Sequence, residues 1–248
     1  MVAIDSASPV PKYFQLREIL LEEIEEEELG PGAPIPSERE LGRRHGLSRM
    51  TVRQAIERLV SEGRLSRVPG KGTFVSRPKI SMAVRLTSFT DDMRARGMQP
   101  GARDLTRQVI RATAHLARNL GLVPGAEVHL IERVRLADGE PMAIERSHIP
   151  AVLAPGLTDM PLSGRSLYQV LEEQFGIVLD EGEQTIGAGI VDPADASVLE
   201  IPRDSAVLHM QRRSSAGGGW VELAVSTYRA DRYQLHSTLE NPRRPSRE

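Results

Sequence analysis

Pro36-Ser37-Glu38-Arg39-Glu40-Leu41-Gly42-Arg43-Arg44-His45-Gly46-Leu47-Ser48-Arg49-Met50-Thr51-Val52-Arg53 is the stretch that decides how the first third of the chain folds. Ser37 can accept the N–H three residues on while Glu40 reaches back, the reciprocal arrangement that starts a helix, and Leu41 opens its apolar face. His45-Gly46-Leu47 reads as a tight turn, because glycine accepts positive φ without steric cost. Ser48 is a second N-cap, and Val52, Ala55, Ile56, Leu59 and Val60 then recur at helical spacing as far as a glycine stop at Gly63. Two helices separated by a short glycine-containing turn make a helix-turn-helix.

Reading outward, Arg49 and Arg53 are four residues apart and project from one helix face, with Thr51 beside them and the apolar residues on the other side. A helix that enters a DNA major groove needs this division: donors for base edges and phosphates at its N-terminal end, and an apolar back packed on its own domain. Downstream, 64–67 and 73–75 read as short strands joined by Val68-Pro69-Gly70-Lys71-Gly72, a hairpin wing whose glycines permit close backbone approach and whose lysine can enter a groove. Upstream, Pro11 suits a first helical turn, and Phe14, Leu16, Ile19, Leu20 and Ile24 predict a helix running to about Leu29. The proline-rich 30–36 segment cannot continue it.

Charge supports this reading. The chain of 248 residues carries a net charge of -2, which argues against a protein that coats nucleic acid uniformly. From Arg39 to Lys79, however, eleven basic residues face three acids (Glu40, Glu57 and Glu62). The acidic run Glu22, Glu23 and Glu25 to Glu28 just before it reads as a solvated helix face. With no cysteine, disulfides and thiolate chemistry are excluded. No apolar run approaches the roughly 20 residues of a membrane span, and no signal peptide opens the chain, so a cytoplasmic protein with no membrane partner is expected. No cofactor or metal is expected either, since the six histidines are scattered without ligand spacing.

Beyond a linker at 77–85, strand and helix signals mix. Residues 128–136 alternate apolar and polar, Ala137-Asp138-Gly139 is a turn, and 141–149 alternate again. Residues 166–175 are helical, with Leu167, Val170 and Leu171 on one face. Residues 206–212 and 220–228 form another hairpin around Gly217-Gly218-Gly219. Hairpins mixed with helices predict an α+β fold around an antiparallel sheet. Domains are expected at 1–76 and 86–240, with a tail at 241–248.

Within that second domain Arg133 and Arg135 share a strand face by the two-residue period. Two adjacent guanidinium groups repel, so the pair belongs either in solvent or around an anion. If the intervening turn counts three residues, Glu145 falls opposite Arg133. Arginines with an acid suit a ligand carrying a phosphate at one end and hydroxyls at the other, and Glu222 and Tyr228, on one face of the later strand, can add hydroxyl contacts.

The run Pro-Ser-Glu-Arg-Glu-Leu (36–41), with Leu-Ser-Arg-Met-Thr-Val-Arg-Gln-Ala (47–55), Glu-Gly-Arg-Leu (62–65) and Gly-Lys-Gly-Thr-Phe-Val (70–75), resembles the GntR family of bacterial regulators. The resemblance implies a winged helix-turn-helix in which Arg39, Arg49 and Arg53 carry base and phosphate contacts, Thr51 a phosphate contact, and Gly70 with Lys71 the wing contact. Residues 80–235 resemble the UTRA effector-binding domain of the HutC subfamily, which shares its fold with chorismate lyase. The carrying residues are 86–93, 96–98, 131–135, 139–145, 166–168 and 228–233, and they are most similar to repressors of N-acetylglucosamine use.

By that resemblance the effector is glucosamine 6-phosphate or its N-acetyl form, released DNA being the response. Its phosphate would be held by Arg133, Arg135, Ser166, Tyr168 and the Ser88, Phe89, Thr90 segment, and its sugar by Glu145, Glu222 and Tyr228. The Ser-His-Ile-Pro (147–150) and Gly-Gly-Gly-Trp (217–220) segments depart from the expected pattern. An enzyme, the chorismate-lyase alternative, is not expected: no Gly-x-Ser-x-Gly elbow is present, and the first eighty residues would be left without a role. A homodimer on a two-fold-related operator completes the expectation.

Overall fold

The computed structural model describes residues 4–5, 7–26, 29–68, 70–77, 79–82, 85–162 and 164–236. The expected tail, the 237–240 end of the expected second domain, residues 78, 83 and 84 of the expected linker, Glu27, Glu28 and the wing's Pro69 lie outside them. Two compact units are present, Met1–Lys79 and Ile80–Glu248. Among the described residues no helix is long and apolar enough to cross a membrane.

In the first unit, helices α1 (Lys12–Glu25), α2 (Glu38–His45) and α3 (Arg49–Ser61) precede a hairpin of β1 (Leu65–Val68) and β2 (Gly72–Val75). Ser37 and Ser48 cap α2 and α3 as their sequence demands, accepting from the Glu40 and Thr51 backbone N–H, and Gly46 closes α2 in the left-handed conformation at φ 63°. Leu16, Leu20, Leu41, Val52, Ile56 and Leu59 are each at most 1% exposed and pack together. Burial of each is worth about 1.5–3 kcal/mol. Helix α1 stops at Glu25, short of the expected Leu29, because successive glutamates repel one another and oppose the negative end of the helix dipole. Phe14, placed on the apolar face by its spacing, is 42% exposed and lies under the Arg17 guanidinium instead.

The second unit holds β3 (Ile80–Met82), α4 (Phe89–Ala95), β4 (Pro100–Arg111), α5 (Ala114–Leu120), β5 (Glu127–Ala137), β6 (Glu140–Pro150), a 3-10 turn (Leu157–Asp159), α6 (Leu167–Phe175), β7 (Glu181–Ile190), α7 (Pro193–Leu199), β8 (Ala206–Ala216), β9 (Gly219–Arg229) and β10 (Tyr233–Leu235). Six strands form one sheet in the order β4-β5-β6-β9-β8-β7, every pair antiparallel. Helices α4 and α6 cover one face, through Met93 against Tyr228 and Leu171 against Ile131, while α5 and α7 cover the other around Val128 and Ile144.

The expected linker needs correction at Ile80–Met82, which is a strand paired in parallel with β10. Its Ile-Ser-Met alternation buries Ile80 and Met82 against α4, and the short length hid that period.

Candidate DNA interface and anion pocket

On the first unit, Arg39, Arg49, Arg53, Gly70 and Lys71 are exposed and Thr51 is half-buried. Arg49 and Arg53 keep 84% and 54% of their side-chain surface, so α3 turns its arginines outward while Val52 and Ile56 fill the core behind. Thr51 Oγ1 lies 2.8 Å from Ser48 Oγ, which ties it to the cap. Gly70 and Gly72 take φ of 74° and 126° at the wing tip, backbone that side-chain-bearing residues rarely adopt.

On the second unit, a pocket opens on the sheet face under α4 and α6. Arg133, Arg135, Glu145, Tyr228, Met210, Arg212 and Gln184 rise into it from the sheet, Ser88 and Phe89 from the α4 end, Tyr168 from α6, and Met82 and Tyr233 from the β3–β10 pair. Arg133 and Arg135 are 1% and 2% exposed, so the solvent-facing alternative for this pair is excluded.

Register explains the assembly. Arg133 pairs directly with Glu145, Glu145 with Ser226, and Ser226 with Met210, one row across four strands. Asp138 and Gly139, at φ 51° and 80°, make a two-residue turn, and a bulge at Met142 supplies the extra residue that the expected three-residue turn would have supplied.

Arg133 Nη2 donates to Glu145 Oε1 at 2.8 Å, and Arg135 Nη2 donates to Thr90 Oγ1 at 2.7 Å. The Arg135 guanidinium also lies 4.8 Å from the Phe89 ring centroid. Yet Arg133 Nε, Arg135 Nε and Arg135 Nη1 are buried with no hydrogen-bond partner. Burial lowers the pKa of Arg135, partly offset by the Glu145 charge. At Glu145 burial pulls the pKa upward, but Arg135 and Arg133 outweigh it and hold the carboxyl below its ordinary range. The pocket therefore sets three arginines, Arg133, Arg135 and Arg212, against two lining carboxylates, Glu145 and Asp92, of which Asp92 is engaged by Arg96, and it leaves buried guanidinium N–H groups without an acceptor.

Three of the sequence-expected residues stand one layer behind the wall. Thr90 holds Arg135; Ser166 caps α6 by accepting from the Gln169 N–H, which sets the start of the helix that carries Tyr168. Glu222, 1% exposed, accepts from Tyr168 Oη at 2.9 Å. Burial raises its pKa, with the Glu145 charge adding to the effect. Arg212 went unread: its Nε donates to Gln184 Oε1 at 2.8 Å and its Nη1 to the Thr87 carbonyl at 3.0 Å. An arginine continuing the Leu208, Met210 alternation was the available signal.

The chain matches the gntR family of bacterial regulatory proteins over residues 12–75 and the UTRA domain over residues 95–234. It is 44% identical to the HTH-type transcriptional repressor NagR of Bacillus subtilis (strain 168), over 93% of this chain and 95% of that protein. It is 32% identical to the HTH-type transcriptional repressor PhnF of Mycolicibacterium smegmatis, over 84% of this chain and 85% of that one. The crystal structure of PhnF from Mycobacterium smegmatis aligns with a TM-score of 0.64 at 29% identity, covering 92% of this chain and 98% of that one. These relatives are transcriptional regulators, not enzymes. The chain belongs to the GntR family, as a DNA-binding transcriptional regulator of the HutC type with a winged helix-turn-helix and a UTRA domain.

Proposed function

We propose that this chain is a repressor of amino-sugar utilisation genes, released from its operator when the second unit binds glucosamine 6-phosphate or N-acetylglucosamine 6-phosphate. The observation that carries the reading is the set of buried, unpartnered N–H groups on Arg133 and Arg135. A buried guanidinium nitrogen without an acceptor costs free energy, and a phosphoryl group supplies several acceptor oxygens in the geometry that arginine matches. NagR, similar along nearly the whole chain, supports the amino-sugar assignment through its name.

In this reading the phosphate sits against Arg133, Arg135, Ser88 and Tyr168, and the sugar hydroxyls against Glu145 and Tyr228. Thr90, Ser166 and Glu222 hold those groups in place. On the DNA side Arg39, Arg49, Arg53, Thr51, Gly70 and Lys71 make the contacts. The protein acts as a homodimer on a two-fold-related operator, and the effector favours a dimer whose recognition helices no longer match the half-sites, lowering affinity in proportion to its preference for that state.

Thermal unfolding in the presence of each sugar phosphate, the unphosphorylated sugars and inorganic phosphate tests the effector. Only a ligand specific to the folded state raises the midpoint with its concentration. If both 6-phosphates leave the midpoint unmoved, the assignment fails; the same architecture reading another phosphorylated metabolite is the reading that then takes its place.

A further inference from the structure

Five charged side chains of the first unit form an unbroken chain of alternating sign. Arg49 Nε lies 3.4 Å from Glu38 Oε2; Glu38 Oε1 lies 3.4 Å from Arg67 Nη2; Arg67 Nη1 lies 4.0 Å from Glu57 Oε1; and the same oxygen accepts from Arg53 Nε at 2.9 Å. The members come from three elements: Glu38 from α2, Arg49, Arg53 and Glu57 from α3, and Arg67 from the wing strand β1.

The nitrogens used matter more than the pairs. Both recognition arginines are held through Nε, at the inner edge of the guanidinium group. The hydrogen bonds of both arginines to these carboxylates use no terminal nitrogen, and the terminal pair is what reads guanine O6 and N7 in a bidentate contact. Arg67 does the reverse: it offers its terminal nitrogens to the two carboxylates and so clamps them.

We propose that Arg67 is a positioning residue for base recognition, acting through Glu38 and Glu57 to orient Arg49 and Arg53, so that sequence discrimination rather than bulk affinity depends on it. Orientation matters because an arginine free to rotate loses side-chain entropy when fixed on a base, whereas one already aimed does not. Phosphate contacts tolerate a wandering guanidinium; bidentate base contacts do not. A wing arginine that touched phosphate directly would behave differently, contributing equally to every DNA sequence.

The test uses full-length protein and two duplexes of equal length: the sequence that wild type enriches from a random pool, and its scramble. Fluorescence anisotropy gives the affinity for each at several salt concentrations. Arg67→Met is expected to bind the enriched duplex about tenfold more weakly, the scale of one lost bidentate contact. Its affinity for the scramble and its salt slope should stay close to wild type. Equal losses on both duplexes, with a salt slope shallower by about 0.9, would identify a phosphate contact and overturn the proposal. So would unchanged binding.

Glu57→Ala and Glu57→Gln keep the question open to refutation should Arg67→Met fold poorly. Glutamine retains an acceptor for Arg53 Nε and should preserve discrimination that alanine loses; identical behaviour of the two overturns the proposal. A wild type that enriches no sequence removes the DNA reading on which all this rests, before any variant is compared.

Discussion

Arg133 and Glu145 face each other directly across two antiparallel strands, Nη2 to Oε1 at 2.8 Å, with only 2% and 17% of their side chains exposed. The pairing exists because a bulge at Met142 displaces the register by one residue beyond a two-residue turn. In a sheet whose side chains alternate, one residue decides which face a carboxylate occupies. Without it, Glu145 would turn to the far face that now holds Asp195, Arg146 would turn into the pocket in its place, and the buried arginines would stand unneutralised.

Removing that carboxylate is expected to be costly. Glu145→Ala leaves Arg133 and Arg135 buried without their counter-charge, and losses on breaking a buried pair run to about 3–5 kcal/mol. Urea unfolding of the variant checks the loss. A phosphorylated ligand should restore part of it by supplying the missing negative charge, which adding the ligand to the same titration would read.

Arg135 is predicted to respond in the opposite sense. Two of its nitrogens already lack partners, so Arg135→Met exchanges an under-satisfied buried cation for an apolar chain of similar length. The variant should be at least as stable as wild type, because Glu145 keeps its direct partner Arg133. It should no longer answer to the effector. Denaturant melts paired with calorimetric titration of glucosamine 6-phosphate separate the two effects, and a destabilised variant would show that Arg135 is structural.

Glu222 carries a pH signature. Burial raises its pKa in the folded state above its ordinary value near 4.5. Such a group favours folding while both states hold the proton, below the unfolded pKa, and that contribution is lost as pH climbs toward the folded value. Glu222→Gln keeps an acceptor for Tyr168 Oη but cannot ionise. Relative to wild type the variant should gain stability as pH rises from about 4.5, levelling once wild-type Glu222 has ionised. Unfolding free energies at four or five pH values would show a flat difference if the carboxyl titrates normally.

Much of this was legible beforehand, and the reason is local. Ser37 and Ser48 each cap a helix with their own hydroxyl, and the two hairpins that hold the pocket's floor are marked by glycine turns between apolar runs, although both faces of β5 and β9 are largely buried. The edge strands were not read: no residue of β4 or β7 is fully buried, and Gly187 and Gly189 in β7 resemble a turn. Gln184 was missed with them. The expected placement of Glu222 in the wall was too simple, since facing the right way does not say whether Tyr168 stands in front.

On the DNA side, two substitutions separate reading from gripping. Arg53 projects from the exposed face of α3, four residues before its partner Glu57, and Lys71 sits at the wing tip beside glycines of positive φ. If Arg53 reads a base, Arg53→Ala should weaken the preferred duplex by roughly tenfold to a hundredfold and relax selectivity at one base position. If Lys71 grips phosphate, Lys71→Ala should weaken all duplexes about equally and reduce the salt slope by about one. Anisotropy titrations across a panel of single-base variants, repeated at low and high salt, give both quantities from one data set. A Lys71→Ala protein that loses selectivity while keeping its salt slope would place the wing in the base-reading surface and move the boundary between the two roles from the helix to the hairpin.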